Sequence, residues 1–380
     1  MGLGTAGGLL AADESWTPPP RLKRPDVASD EGGLWAQMDR AEVKFKTSPF
    51  LIRDRALNEY VYGVACKLAG EHCPDVRVYV MHTPWFNASM APNGMMQVWS
   101  GLLIRMANEA QLAAVLGHEM GHYIARHSLE RLQAAQSTSA AAQILGFGLT
   151  MGTGSLVSGA LTQVAAVAGF MSYNRDQERD ADRIGLELMA RAGYATSEAS
   201  RVWRGLMDEA KGDDANSDAA KSSPLFASHP AQEERFQTLA ELARQRPGGN
   251  TVGSEVYRER LASLRADFLA DELRRRRFGE SLVLFDRLLK DDPSDGRIHF
   301  LKGEAYRLRG KAGDLKRSLE NYGAAVAGRD APPEVYRSLG MAQRRLGHDA
   351  ESEKAFARYL ELKPDAEDAE LIRSYARSTK

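Results

Sequence analysis

The sequence predicts an α+β fold, mainly helical, in which a small sheet lies among helices and an all-α repeat array follows. Three observations predict it. "VRVYVMH", residues 76 to 82, alternates and is rich in β-branched residues, and "PNGMMQVWSGLL", 92 to 103, sets a Pro-Asn-Gly turn before a second extended stretch. On either side, apolar residues recur at helical spacing. From about residue 255 helix follows helix with short, repeating breaks. A chain of 380 residues is long for one core and suggests two domains, and 43% hydrophobic with 27% charged residues is ordinary for globular protein. The net charge of −1 gives no bulk pull toward nucleic acid.

Residues 1–33 are rich in Gly and Pro, including Pro18, Pro19 and Pro20, and read as a flexible N-terminal segment. The opening Gly/Ala/Leu run has no Lys or Arg before it, so it is not a complete signal peptide; it fits the tail of one, which favours an extracytoplasmic, periplasmic protein. Helical patterns follow at about 34–46 and 54–70, either side of Pro49. Cys66 and Cys73 close the second of these. They form a small-loop disulfide in an oxidising compartment or stand as two thiols in a reducing one, and their spacing decides neither.

After the sheet comes "ANEAQLAAVLGHEMGH". Asn108 is a helix N-cap with Gln111 as its box partner, and Leu112, Val115 and Leu116 form an apolar stripe. On that helix His118 and His122, four apart, present two imidazoles from one face. Glu119 stands beside them, placed to take a proton from water. Zinc suits such a pair because it accepts imidazole nitrogen, has no geometric preference of its own, and lowers the pKa of bound water to about 7. The plain alternative is an amphipathic helix carrying two incidental histidines. His127, five residues past His122, falls off the ligand face of a continuous helix and reads as exposed.

Residues 141–171 carry no charged side chain. One membrane crossing would put the following chain on the far side of a bilayer from His118, and two crossings need about 20 residues each plus a turn. The stretch therefore reads as two small-residue helices, buried or in peripheral contact with a membrane surface. Beyond it, "RDQERDAD" supplies Glu178, with Asp182 one turn later on the same face, as the candidate third ligand; the alternative is a solvated face shared with Arg175 and Arg179. An acidic loop covers 208–224, and "RPGGNTVG" provides a linker, 246–254, as domain boundary.

"HEMGH" followed by "ERDAD" resembles the M48 family of zinc metallopeptidases, in which H-E-x-x-H precedes a helix with E-x-x-A-D. The likeness covers roughly 35–245, and "NAS" at Asn87, Ala88 and Ser89 resembles the family's strand along the active-site cleft. The Asn93-Gly94 turn stands where the family more often has a second glycine. "SHP", 228–230, with Arg235 after it, resembles the histidine-proline element that follows the zinc helices. The resemblance implies a zincin-type metallopeptidase domain over 34–245, with one Zn2+ on His118, His122 and Glu178, Glu119 as general base and Asp182 steadying a ligand imidazole. For His229 three readings stay open: a loop cap, a donor to the oxyanion, or an occupant of zinc's open position in a self-blocked state.

In 255–380, "YRSLGMAQRRLGHDAESEKAFARYLELKP" fits the tetratricopeptide pattern at Leu339, Gly340, Gly347, Phe356 and Pro364. Phe285 stands before Pro293 as Phe356 stands before Pro364, and Gly303, Tyr306, Gly310 and Tyr322 fit between them with a short insertion. About three such repeats stack into a surface that holds another polypeptide. Arg274 to Arg277 read as a solvated helix face or an anion-facing patch, without the aromatic interleaving of a nucleic-acid site. The function expected is zinc-dependent hydrolysis of peptide bonds in misfolded or misassembled polypeptides. The alternative is a chaperone or assembly adapter with a latent zinc site.

Overall fold

The computed structural model describes residues 16–136, 173–212, 229 and 233–377. The 141–171 stretch, and with it the expected membrane contact, lies outside the described residues. Among the described residues, no helix is long and apolar enough to cross a membrane.

Helix α1 (Asp30–Thr47) starts earlier than the apolar pattern suggests because the Ser29 side chain caps it, accepting from the Gly32 N–H. Helix α2 (Arg55–Ala69), capped by Asp54, leads through a 3-10 turn over Gly70–Asp75 into strand β1 (Arg77–Met81). Cys66 and Cys73 are disulfide-bonded across that corner. Strands β2 (Ala88–Met90) and β3 (Met95–Trp99) flank the Pro92-Asn93-Gly94 turn, where Gly94 has φ 87° and no room for a Cβ, which would sit 2.1 Å from the Asp75 carbonyl oxygen. The sheet order is β1-β3-β2, with β1 parallel and β2 antiparallel to β3, so β2 is an edge strand.

Residues 16–29 lie along this body. The Arg21 guanidinium forks onto Asp75, the Pro19 carbonyl meets His72 Nε2 at 3.0 Å, and Trp16 lies under Arg183 and Arg191.

Glu42 ties α1 to the sheet. It accepts from Arg77 Nε and Nη2 at 2.7 Å and from the Tyr79 hydroxyl at 2.6 Å. Burial alone would raise its pKa, but Arg77 and Tyr79 outweigh burial and hold it at about 2 against an ordinary 4.5. A carboxylate depressed on folding contributes stability above its unfolded pKa and loses it as pH falls through the folded value. Glu42→Gln is therefore expected to cost about 2 kcal/mol near neutral pH. The gap to wild type in urea unfolding should close as pH drops from 4.5 toward about 2. A pH-independent gap would show that the carboxylate charge contributes nothing.

Short α3 (Ser100–Leu103) leads to α4 (Glu109–Ile124), whose Asn108 cap accepts from the Gln111 N–H at 2.8 Å. The Gln111 side-chain oxygen closes on the Ala107 N–H instead of Asn108, because its amide also reaches Glu198. After α5 (His127–Gln136) the described chain resumes before α6 (Arg175–Arg191), which opens on a full capping box between Asn174 and Gln177. Helices α7 (Ser197–Ala210) and α8 (Glu233–Gln245) complete this part.

The 246–254 connection is ordered by pairing: Tyr194 with Thr251, Ala195 with Gly248, and the Ala110 N–H donating to the Val252 carbonyl. Helix α9 (Ser254–Glu272) then sends Tyr257, Leu261, Phe268 and Leu269 into the core that holds Leu57, Val61, Leu112 and Leu116. The array continues as α10 (Phe278–Asp291), α11 (Gly296–Arg309), α12 (Asp314–Ala327), α13 (Glu334–Arg345), α14 (Asp349–Leu362) and α15 (Ala369–Arg377). Helix α11 packs on α12 and α13 on α14. Each pair closes by the same device, a glycine against an aromatic ring: Gly303 on Tyr322 and Gly340 on Phe356, where an added Cβ would lie 2.5 and 2.6 Å from ring carbons.

The four-arginine run is not a solvated face. The chain bends at Arg276 (φ 57°), Arg275 is buried between Glu272 and Glu280, and Arg275 and Arg277 both lie over Trp85. Arg274, paired with Asp271, and Arg276 are exposed.

Candidate metal centre

Helices α4 and α6 touch backbone to backbone, and the glycines of "LGHEMGH" are the reason. A Cβ on Gly121 would stand 2.7 Å from the Ala181 oxygen, and one on Gly185 would stand 2.9 Å from the His118 nitrogen. That approach brings Glu178 over the two histidines. Glu178 is buried, while Arg175 and Arg179 on the same helix are exposed, which disposes of a shared solvated face.

His118 Nε2 lies 3.1 Å from His122 Nε2 and 3.2 Å from His229 Nδ1. The Glu178 carboxylate stands 2.7 Å from His229 Nδ1, 3.4 Å from His122 Nε2 and 3.5 Å from His118 Nε2. Four buried donor atoms, from His118, His122, Glu178 and His229, thus lie within 4.8 Å of one another. A tetrahedral ion with bonds of about 2.0 Å has edges of about 3.3 Å, so the separations fit zinc, and three imidazoles with one carboxylate are donors it takes.

Glu119 is not among the four. It is buried beside them, with Oε1 3.4 Å from His229 Nε2, so His229 stands between the donor cluster and this carboxylate. Burial pushes the Glu119 pKa up, against the pull of His229 and His118. A carboxylate raised toward neutrality is a better proton acceptor. Burial would raise Glu178 as well, but His229 and His122 outweigh it and keep Glu178 ionised. For His229, burial favours the neutral ring and the two glutamates reverse it, raising the pKa.

Asp182 lies where the sequence placed it, with Oδ1 2.8 Å from His118 Nδ1. Sequence reasoning gave no role to the group that holds Asp182. Arg235 on α8 donates to both Asp182 oxygens at 2.6 and 2.7 Å, approaches Glu178 Oε2 at 2.6 Å, and lies 3.7 Å over the Trp203 ring. His229 is no loop cap, being buried in the cluster. His127 corrects the sequence reading outright: it is 4% exposed, with Nδ1 2.9 Å from His122 Nδ1. It does not continue α4, because Arg126 (φ 58°) turns the chain and starts α5. Tyr173, also unforeseen, stacks on His122 with centroids 3.6 Å apart.

Asn87, Ala88 and Ser89 are buried on and beside β2, which packs on α4. Next to His118 and Glu119 a pocket opens, lined by Phe86, Val115, Leu186, Met189, Val202 and Trp203.

The model of peptidase family M48 matches residues 51–243. The chain belongs to peptidase family M48. Three M48-region relatives illustrate the likeness. The metalloprotease YcaL of Escherichia coli is 32% identical over 165 residues, covering 43% of this chain and 61% of that one. The mitochondrial metalloendopeptidase OMA1 of Schizosaccharomyces pombe is 30% identical over 165 residues, 43% of this chain and 45% of that one. The β-barrel assembly-enhancing protease of Escherichia coli is 25% identical over 236 residues, 58% of this chain and 47% of that one. The chain spans about half the length of the curated relatives it matches. The M48 match contains His118, Glu119, His122, Glu178, Asp182, His229 and Arg235, so the whole cluster belongs to the family region. Zinc is the family's cofactor, and the four donors form a cluster able to hold it.

Proposed function

We propose that this M48 member is a zinc metalloendopeptidase in which His118, His122 and Glu178 hold the metal and Glu119 is the general base. The observation that carries it is the buried four-donor cluster with a fifth, non-ligating carboxylate at its side. Bound zinc would polarise the scissile carbonyl and acidify the attacking water. Glu119 takes the water proton and passes it to the leaving amine, while Asp182, locked by Arg235, keeps the proton of His118 on Nδ1.

His229 supports a resting, self-blocked reading: its Nδ1 completes the donor set and its Nε2 faces Glu119. Once displaced by substrate, the same imidazole is free to donate to the developing oxyanion. Substrate binds as an extended strand along the edge of β2 at Asn87, Ala88 and Ser89. Among the described residues Asn87 Oδ1, which is buried, has no hydrogen-bond partner, an acceptor suited to a substrate N–H. The neighbouring pocket, apolar in most of its lining, has room for a small apolar side chain. Strand pairing of this kind reads backbone more than sequence, as fits a protease for misfolded or misassembled polypeptides.

The peptidase unit, 34–245, is joined through 246–254 to a tetratricopeptide-like unit, 255–380, that holds a polypeptide partner. The Cys66–Cys73 disulfide supports an extracytoplasmic, periplasmic location, as does a relative named for enhancing β-barrel assembly.

The test is digestion of a casein-type substrate with and without chelator, alongside metal analysis of Glu178→Ala. Chelation is expected to stop cleavage, and the variant to lose most of its zinc while keeping wild-type circular dichroism. Full zinc occupancy in Glu178→Ala would remove that residue from the site. Cleavage products without enrichment of small apolar residues beside the cut would mean that the pocket does not select a substrate side chain.

The second reading, an adapter with a latent centre, is favoured by His229 in the fourth position. Removing 255–380 does not separate the two, because α9 supplies core residues to the peptidase unit. The active-site substitution in the full chain does.

A further inference from the structure

The two histidines of α4 have unlike partners behind them. His118 is backed by a carboxylate, Asp182. His122 turns Nε2 toward the donor cluster, 3.1 Å from His118 Nε2, and turns Nδ1 the other way, to 2.9 Å from Nδ1 of His127. A ring that gives its Nε2 lone pair to a metal carries its remaining proton on Nδ1 and must donate it when buried. Among the described residues, the hydrogen-bond partner at that nitrogen is His127.

We infer that His127 is the positioning residue for His122, accepting the Nδ1–H of His122 on its own Nδ1 and so fixing the ring with Nε2 toward the metal. This rests on the reading of His122 as a zinc ligand.

The tautomer of His127 follows. Its Nδ1 carries the lone pair and its Nε2 the proton, and Nε2 faces the Asp180 carboxylate at 3.6 Å, outside hydrogen-bond distance but of suitable sign. The backbone is built for the contact. Had α4 run on, residue 127 would have pointed off the ligand face. Instead Arg126 takes a left-handed conformation, unusual for a residue with a Cβ, and its side chain is anchored on Glu31. The Leu129 and Glu130 N–H groups then close on the Arg126 carbonyl and start α5 with His127 folded back on the centre.

Tyr173 completes the fixture. Its ring stacks on His122 at 12° between planes, and its hydroxyl meets the Ser128 hydroxyl at 3.1 Å. His122 is thus held on its edge by residue 127 and on its face by a tyrosine tied to residue 128. Unlike Asp182, a neutral imidazole orients its ligand without adding negative charge to the centre.

The test measures zinc affinity of the full chain by chelator competition, with the thermal midpoint of the metal-stripped protein read in parallel. His127→Leu is expected to weaken zinc binding about 10- to 100-fold. His127→Asn, whose side-chain oxygen can replace Nδ1 as acceptor, should restore it to within a few-fold of wild type. Both variants should keep the metal-free midpoint. Wild-type affinity in His127→Leu overturns the inference. So does equal weakening in the Leu and Asn variants with a lowered metal-free midpoint, which would make His127 a packing residue. His122→Ala separates the layers: if it binds zinc like wild type, the ligand reading falls and takes the inference with it. If His122→Ala loses zinc while His127→Leu keeps it, only the inference falls.

Discussion

Glu119→Gln is expected to lower peptide hydrolysis by about 10²- to 10⁴-fold, the usual worth of a positioned general base, with zinc content unchanged. Glutamine keeps the shape and volume of the side chain but cannot accept the proton that water must lose. The separation of effects follows from the geometry: Glu119 is outside the donor cluster, and its contact is to His229 Nε2 at 3.4 Å. Its removal leaves His118, His122 and Glu178 in place, whereas loss of Glu178 is expected to lower both zinc content and activity. The comparison is casein-type digestion by wild type and variant at matched, measured zinc occupancy. Equal rates would sink the mechanism. Full clearance of targets in vivo by a variant inactive in vitro would favour the adapter reading.

The same substitution probes the self-blocked state. Glu119 is one of the two carboxylates that raise the His229 pKa, so the amide leaves His229 held from the Glu178 side alone.

How much of this was legible in advance varies residue by residue, for physical reasons. That His118 and His122 share a face was legible because an i, i+4 spacing on a capped helix stacks two side chains, and the same rule put Asp182 one turn from Glu178 on α6; that the two helices meet was implied only by the resemblance. The strands and their turn were legible because Asn93-Gly94 and β-branched alternation are local signals. His127 was misread because its position depends on one backbone torsion at Arg126, and an arginine with positive φ leaves no mark in sequence. Arg235 stood next to a recognised motif, but its partner is Asp182, 53 residues away, and only packing of α8 brings them together. The arginine run failed for a related reason. Glu272 and Glu280, which pair with Arg275, stand near it in sequence, but Trp85, under Arg275 and Arg277, comes from far along the chain.

Arg105→Met is expected to be the most destabilising of the substitutions considered, at about 3–5 kcal/mol, because it leaves buried carboxylates short of a counter-charge. Arg105 follows α3, is 4% exposed, and donates to Glu209 Oε2 at 2.7 Å, to both Glu272 oxygens at 2.8 and 3.1 Å, and to the Gly101 carbonyl at 2.9 Å. Glu209 lies in the last turn of α7 and Glu272 ends α9, so a single guanidinium joins the segment after the sheet to two helices from later in the chain. Methionine fills much of the volume but supplies no N–H donor. Glu209 would keep Arg287, and Glu272 would keep Arg275 and the Ser281 hydroxyl, so each carboxylate is left under-compensated instead of bare. The loss should appear in urea unfolding as a lowered midpoint and as faster protease cutting within 246–254. Adding Glu209→Gln and Glu272→Gln to Arg105→Met should recover part of the lost stability, since removing a whole buried ionic set is far less costly than removing one partner. A single variant within about 0.5 kcal/mol of wild type, the range of ordinary surface substitutions, would show that this cluster does not hold these helices together. A triple variant weaker than the single would show that Arg287 and Arg275 depend on those carboxylates more than the carboxylates depend on Arg105.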